Sequence, residues 1–246
     1  MKVVITDVAT AARQAADVIA EALRGRPDPV LGLATGSTPL PLYDELARRH
    51  REEGLSFAHA QAFTLDEYVG LPTSHPERYR TVIERDLTSR VDLRPDAIHS
   101  PDDTAEDLDA ACAAYEAHIA RAGGIDVQIL GIGSDGHIAF NMPGSPASSR
   151  TRMTTLTEQT RADNARFFDG AVDAVPPRAL TQGLATIMGA GHLLMLATGE
   201  AKAAAVAQLV EGPVSDRWPA TILQRHPRVT VLLDEAAASG LALVHA

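Results

Sequence analysis

The sequence has 246 residues, 45% of them hydrophobic and 22% charged, a composition that excludes a disordered or fibrous chain and fits one large domain or two small ones. Its 32 acidic and 22 basic residues leave a formal charge of −10, and no basic stripe offsets it, which excludes nucleic acid and anionic membrane surfaces as expected partners. The single cysteine, Cys112, rules out an intrachain disulfide and sits among alanines as a small buried hydrophobe. The first residues lack the apolar core of a signal peptide, and no run is long enough to cross a membrane, so a reducing cytoplasm is the expected setting.

Taken in chain order, short β-branched runs alternate with alanine-rich helical stretches. Residues 3–5 read as a first strand, followed by a helix whose apolar positions (Val8, Ala12, Ala15, Ala16, Ile19, Leu23) recur at helical spacing. Residues 30–33 read as a second strand, followed by TGSTP and a helix to about residue 50. A third strand covers 61–65, helices 79–87 and 105–121, and a fourth strand 125–130. A polar stretch from 141 to about 157 precedes two predicted helices, 158–168 and 178–188. Residues 193–197 form a strand, 200–210 a helix, and 229–233 a last strand. This alternation predicts an α/β fold: a Rossmann-like open, mostly parallel sheet with helices on both faces. One domain over 1–246 is expected, with 141–175 as a lid segment.

In such sheets ligands sit outside the carboxyl ends of the strands, so the residues after each strand carry the functional signal. The second strand ends in Thr35-Gly36-Ser37-Thr38-Pro39. Gly36 permits a tight turn, Ser37 or Thr38 can cap the next helix, and Pro39 suits its first position. Free N–H groups at that helix start make an anion cradle; a capped helix start without a ligand is the other reading. No Walker lysine follows, which favours a monophosphate ester over a nucleotide.

The third strand ends in Asp66-Glu67-Tyr68. A partly desolvated Asp66 can serve as a general base, whereas Glu67 reads as a solvated turn residue or a local hydrogen-bond partner. The fourth ends in GIGSDGHIAFNMPG. Its G-x-G-x-x-G match lacks the amphipathic helix and distant acid of a dinucleotide site, so no NAD is expected. Asp135 and His137 lack a third metal ligand, and read either as a carboxylate orienting a proton-shuttling imidazole or as a capping Asp beside a structural His. After 193–197 comes Thr198-Gly199-Glu200-Ala201-Lys202. A lysine in the first turn of a helix is mismatched with the helix dipole unless a phosphate lies there too. Arg166 is a second candidate cation; Arg150, Arg152 and Arg161 read as solvated.

The segments LGLATGSTPLPLY, FTLDEYVGLPTSHPERY, LGIGSDGHIAFNMPG, SRTR, TRADNARFF, ALTQG, ATGEAKA and ILQRHP, in this order over about residues 30–235, resemble the glucosamine-6-phosphate deaminase (isomerase) family. The resemblance implies a substrate, glucosamine 6-phosphate, that is deaminated and isomerised to fructose 6-phosphate and ammonia without a metal or redox cofactor. It implies Asp66 as the base moving a proton between C2 and C1, Asp135 and His137 as members of the ring-opening group, and Thr35, Gly36, Ser37, Thr38, Arg166 and Lys202 as phosphate contacts. Two positions depart from the pattern. Met142 stands where the family has the glutamate that completes the ring-opening group, which leaves His137 held mainly by Asp135; a sister sugar-phosphate lactonase, an aldose-ketose isomerase and a non-catalytic sugar-phosphate sensor are the alternatives. Thr154, two residues after Arg152, replaces a lysine of the allosteric site some members carry, so no allosteric activation is expected. A homo-oligomer is compatible with the sequence without being read from it.

Overall fold

The computed structural model describes residues 1–242. The chain opens with β1 (Lys2–Ile5) and α1 (Val8–Gly25), whose N-cap Asp7 accepts the Thr10 N–H at 2.9 Å. Ala11, Ala12, Ala15, Ala16, Ile19 and Ala20 form the buried stripe of α1. There follow β2 (Val30–Leu33), α2 (Leu40–Glu53), β3 (Gln61–Thr64), β4 (Asp66–Tyr68), α3 (Tyr79–Asp86), β5 (Ile98–His99) and α4 (Leu108–Arg121). The second half runs β6 (Val127–Leu130), β7 (Arg152–Thr155), α5 (Glu158–Asn164), β8 (Arg178–Thr181), α6 (Leu184–Ile187), β9 (His192–Ala197), α7 (Ala203–Glu211), β10 (Val229–Leu233) and α8 (Glu235–Ala238).

Seven strands form one sheet in the order β1-β10-β9-β6-β2-β3-β5, and every pairing in it is parallel. Each residue of β2, β6 and β9 is buried, as strands covered on both faces require. The connections from β1 to β2, β3 and β5 step across the sheet in one direction; those from β5 to β6, β9 and β10 step back. Right-handed crossovers therefore put α1, α2 and α3 on one face and α4 and α7 on the other. The reversal falls between the neighbours β2 and β6, whose trailing loops diverge and leave a crevice at their carboxyl ends. No helix of the described residues is long and apolar enough to cross a membrane.

A second, three-stranded antiparallel sheet, β4-β8-β7, stands beside the first. Leu65 links the two: its N–H bonds the Leu33 carbonyl (3.2 Å) and its carbonyl accepts the Gln182 N–H (2.8 Å). A separate apolar cluster packs there, with Tyr68, Phe140, Met142, Leu156, Phe168 and Ala179 among its members. Several expectations are corrected here. Residues 178–188 are not one helix but β8, a break at Gly183, and the single-turn α6. Asp66-Glu67-Tyr68 is not a loop but β4, paired with β8. The polar stretch after 141 contains β7. The helix at 158–168 is α5 followed by a 3-10 turn, Ala165–Phe167.

Candidate active site

A cleft of about 530 Å³ opens where the loops after β2 and β6 diverge. Thr35, Gly36, Ser37, Thr38, Asp66, His137, Arg166 and Lys202 all line it, although they come from five distant segments of the chain. Asp135 does not line the cleft; it stands behind His137 and touches its ring.

The loop after β2 is anchored by Tyr43 on α2. Its buried hydroxyl donates to the Ala34 carbonyl at 2.6 Å and accepts the Ala34 N–H at 3.2 Å. Gly36 then takes φ +100°, a conformation that side-chain-bearing residues rarely adopt. Contrary to the sequence reading, neither Ser37 nor Thr38 caps α2, which begins at Leu40 after Pro39. Among the described residues, the N–H groups of Gly36, Ser37 and Thr38 and both hydroxyls have no protein partner. They form an unfilled set of donors at a helix N-terminus, which is the chemistry of an anion site.

Two cations face the same cleft. Lys202 ends a 3-10 turn, Glu200–Lys202, just ahead of α7, one turn earlier than the helical position read from the sequence. Arg166 lies in the 3-10 turn after α5 with its guanidinium 4.7 Å from the centre of the Phe167 ring. Neither makes an ion pair among the described residues, whereas many other arginines of the chain do. Burial pushes the Lys202 ammonium below its ordinary value; Asp163 pulls it back up and Arg166 adds to the fall. An anion between Lys202 and Arg166 would relieve that strain.

Asp66 starts β4 with only 7% of its surface exposed, and no described protein group hydrogen-bonds its carboxylate. Burial, with a further contribution from Glu67, raises its pKa well above the ordinary carboxylate range. A carboxylate that is desolvated, unpartnered and open to a cleft is suited to taking a proton.

His137 is fixed from one side. Its Nδ1 lies 2.6 Å from Asp135 Oδ1, which also accepts the His137 backbone N–H at 3.2 Å. The Gly133 N–H closes the loop onto the His137 carbonyl at 2.9 Å. A Cβ at Gly133 would lie 2.2 Å from the His137 ring and 2.7 Å from Asp135 Oδ1, so the glycine makes room for the pair. Burial opposes ionisation of Asp135, but the hydrogen bond and charge of His137 hold its carboxyl below the usual range. With Nδ1 engaged, Nε2 is the nitrogen left for a ligand in the cleft.

Met142 is 8% exposed and belongs to the second apolar cluster; Thr160 Oγ1 donates to its sulfur at 3.4 Å. His137 thus has one carboxylate partner. Other placements correct the sequence reading. Glu67 is fully buried, not solvated. Arg152 is half-buried and donates to Asn141 Oδ1 (2.9 Å) and Ser145 Oγ (3.2 Å), and Arg161 donates to the carbonyls of Val172 and Val175. Tyr79 and Asn164 also line the cleft and were not singled out from the sequence. Tyr79 OH and Asn164 Nδ2 both meet Tyr68 OH, at 3.1 and 2.9 Å; the segments PERY and TRADNARFF carry these residues, but no single-residue feature marks them. Among the described residues no three His, Cys, Asp or Glu side chains are grouped to hold a metal ion.

Residues 6–232 match the family model described as glucosamine-6-phosphate isomerases/6-phosphogluconolactonase. The glucosamine-6-phosphate deaminase of Beutenbergia cavernae is 64% identical over 241 residues, 98% of this chain and 92% of that protein. That of Mycolicibacterium smegmatis is 60% identical over 242 residues, 98% and 93% of the two chains. Among solved structures, a monomeric glucosamine-6-phosphate deaminase superposes with a TM-score of 0.95 at 42% identity, covering 98% of this chain and 100% of its own. The 6-phosphogluconolactonase of Thermotoga maritima gives 0.73 at 20% identity over 95% and 98% of the two chains, a likeness of fold alone.

Proposed function

The chain belongs to the glucosamine-6-phosphate isomerase/6-phosphogluconolactonase family, and from that premise we propose that it converts glucosamine 6-phosphate and water to fructose 6-phosphate and ammonia. The observation that carries this reading is the convergence, in one cleft, of a bare donor loop, two unpaired cations, an oriented imidazole and a desolvated carboxylate. The deaminases match at 60–64% identity over nearly the whole chain, which favours deamination over lactone hydrolysis.

The phosphate of the sugar sits in the 35–38 loop, between Lys202 and Arg166, at the N-terminal end of α2. That anchor extends the sugar across the β2–β6 crevice toward Asp66 and His137. His137, its Nδ1 held by Asp135, moves a proton between the anomeric hydroxyl and the ring oxygen through Nε2, and the ring opens to the aldehyde. Asp66 then takes the proton from C2. The electron pair of that C–H bond forms the C2–C1 double bond, and the aldehyde oxygen takes up a proton. Returned to C1, the C2 proton leaves a C2 iminium, which adds water and expels ammonia to give the ketone. Asp66 is suited to both directions of this transfer because burial makes it basic enough to accept a carbon-bound proton and acidic enough, once protonated, to return it.

The cytoplasmic setting expected from the sequence goes with a phosphorylated sugar substrate and a buried free thiol at Cys112. The test is ammonia release from glucosamine 6-phosphate by the purified protein and by its Asp66→Asn variant. Turnover is expected to fall by about 10³-fold in the variant, with affinity for the phosphate ester retained, because the base acts after binding. Unchanged turnover in Asp66→Asn rejects the assignment.

A further inference from the structure

Glu67 has no place in the proton transfers just described, yet it is completely buried next to the proposed base. Successive residues of a strand point to opposite faces, so with Asp66 in the cleft wall Glu67 points away from it. There its carboxylate is engaged by three backbone N–H groups. Oε1 accepts from Tyr68 and from Tyr79, each at 2.9 Å, and Oε2 accepts from Arg80 at 3.0 Å. Tyr79 and Arg80 are the first two residues of α3, and Arg78, in the N-cap position, supplies no side-chain cap. Glu67 is therefore the cap of α3, delivered from another element, and it places a negative charge at the positive end of that helix.

Resting on the reading of Asp66 as the base, we infer that Glu67 is a positioning residue of the reaction: it fastens α3, and with it the cleft residue Tyr79, to the strand that carries Asp66, and it fixes a negative charge beside that base. The groups that face Asp66 are few. Tyr68 on β4, Tyr79 on α3 and Tyr115 on α4 are phenols whose ionisation burial suppresses, and Thr181 pairs with Asp66 from β8. His137, Arg166, Lys202, Glu77, Arg85, Asp86 and Asp163 are the other titratable groups that line the same cleft. Burial raises the Glu67 carboxyl above the ordinary range, while the N–H groups of Arg80, Tyr79 and Tyr68 and then the Arg78 charge pull it back down. Glu67 is the charged neighbour that raises Asp66, after burial itself.

The sign of the effect is definite. The base works deprotonated, so the rate rises as pH climbs through the Asp66 pKa. Removing the neighbouring charge makes Asp66 easier to deprotonate and moves the acid limb of the profile down. The experiment is the pH profile of kcat and kcat/KM for ammonia release by the wild type, Glu67→Gln and Glu67→Asp, with thermal unfolding of each. For Glu67→Gln the acid limb is expected to move down by about half a pH unit or more, and kcat to fall about tenfold as the helix start loosens, with KM changed less than about twofold. Glu67→Asp keeps the charge on a side chain one methylene shorter; its acid limb is expected to stay in place while kcat falls. A Glu67→Gln variant with lowered Tm but wild-type acid limb and kcat would be only a lost helix cap, and overturns the proposal. If Glu67→Gln does not fold, wild-type kcat in Glu67→Asp overturns it equally. Failure of the underlying reading is distinguished by Asp66→Asn: if that variant turns over, both fall, whereas an inactive Asp66→Asn beside an unmoved Glu67→Gln profile sinks the role of Glu67 alone.

Discussion

Met142 shows how one side chain is bound by two demands. The family resemblance places it where a carboxylate would partner His137, but the structure gives it a berth in the second apolar cluster, with the Thr160 hydroxyl on its sulfur. A thioether accepts weakly and carries no charge, so Asp135 alone orients the imidazole. Met142→Glu is expected to move two readouts in opposite directions. Ammonia release per folded molecule rises, because His137 gains a second partner. Tm falls by several degrees near neutral pH, because a carboxylate enters apolar surroundings. Burial raises the folded-state pKa of such a glutamate, so its cost is greatest above that pKa and relaxes as pH falls toward the unfolded value. Lower turnover in the variant would mean that the native site is built around the methionine.

The elements read correctly from the sequence were those whose identity is written locally. β2, β6, β9 and β10 are predominantly apolar runs, interrupted only by Gly32, Gln128, His192 and Thr230, and each is followed within two residues by glycine, threonine or aspartate, which is what a doubly covered parallel strand looks like. The loops that follow β2, β6 and β9 were therefore found, and Asp66 just past β3 with them, which together make most of the cleft. The second sheet was missed because its strands have three or four residues and pair with partners distant in the chain. In RALTQGLATIM the apolar positions also fit helical spacing, and only pairing with β4 and β7 decides for a strand. Glu67 was misread for the same reason: its donors lie in α3, beyond the reach of local pattern. The loop between β2 and α2 tests the legible part. At Gly36 a Cβ meets nothing within 4 Å, so Gly36→Ala isolates the backbone cost of φ +100° from any clash. That cost, about 1–3 kcal/mol, is expected to distort the three free N–H groups and to raise KM about tenfold or more while leaving α2 formed. A KM within about twofold of wild type would remove this loop from the phosphate site.

At the scale of the whole molecule, a chain of formal charge −10 brings two cations without ion pairs, Arg166 and Lys202, into one cleft, while burial holds the pKa of His99 and of His192 below the ordinary histidine value. His99 lies on β5, the edge strand opposite β1, packed at a tilt against Phe63 on β3 and His118 on α4 at centroid distances of 4.8 and 4.0 Å. Burial, then His118 and Arg80, push its pKa down to about 4, with Asp96 acting the other way. Unfolded, it would titrate at 6.5, the ordinary value. Between those values the unfolded chain binds a proton that the folded one refuses. The stability this histidine contributes is full above the unfolded value and is lost as pH falls toward the folded one. His99 Nε2 is buried without a hydrogen-bond partner, so a phenyl ring can replace the imidazole without breaking a bond there. His99→Phe is expected to match or exceed wild-type stability in denaturant unfolding at about pH 7 and to lose less on acidification to about pH 5. The pH slope of the unfolding free energy should drop by up to about 1.4 kcal/mol per pH unit, the equivalent of one proton. The raised carboxyls of Asp66 and Asp103 act in the opposite sense in both proteins, gaining stability on acidification, and cancel in the comparison. An unchanged slope in His99→Phe would mean that the ring cluster admits a proton, and that acid stability is set elsewhere in the fold.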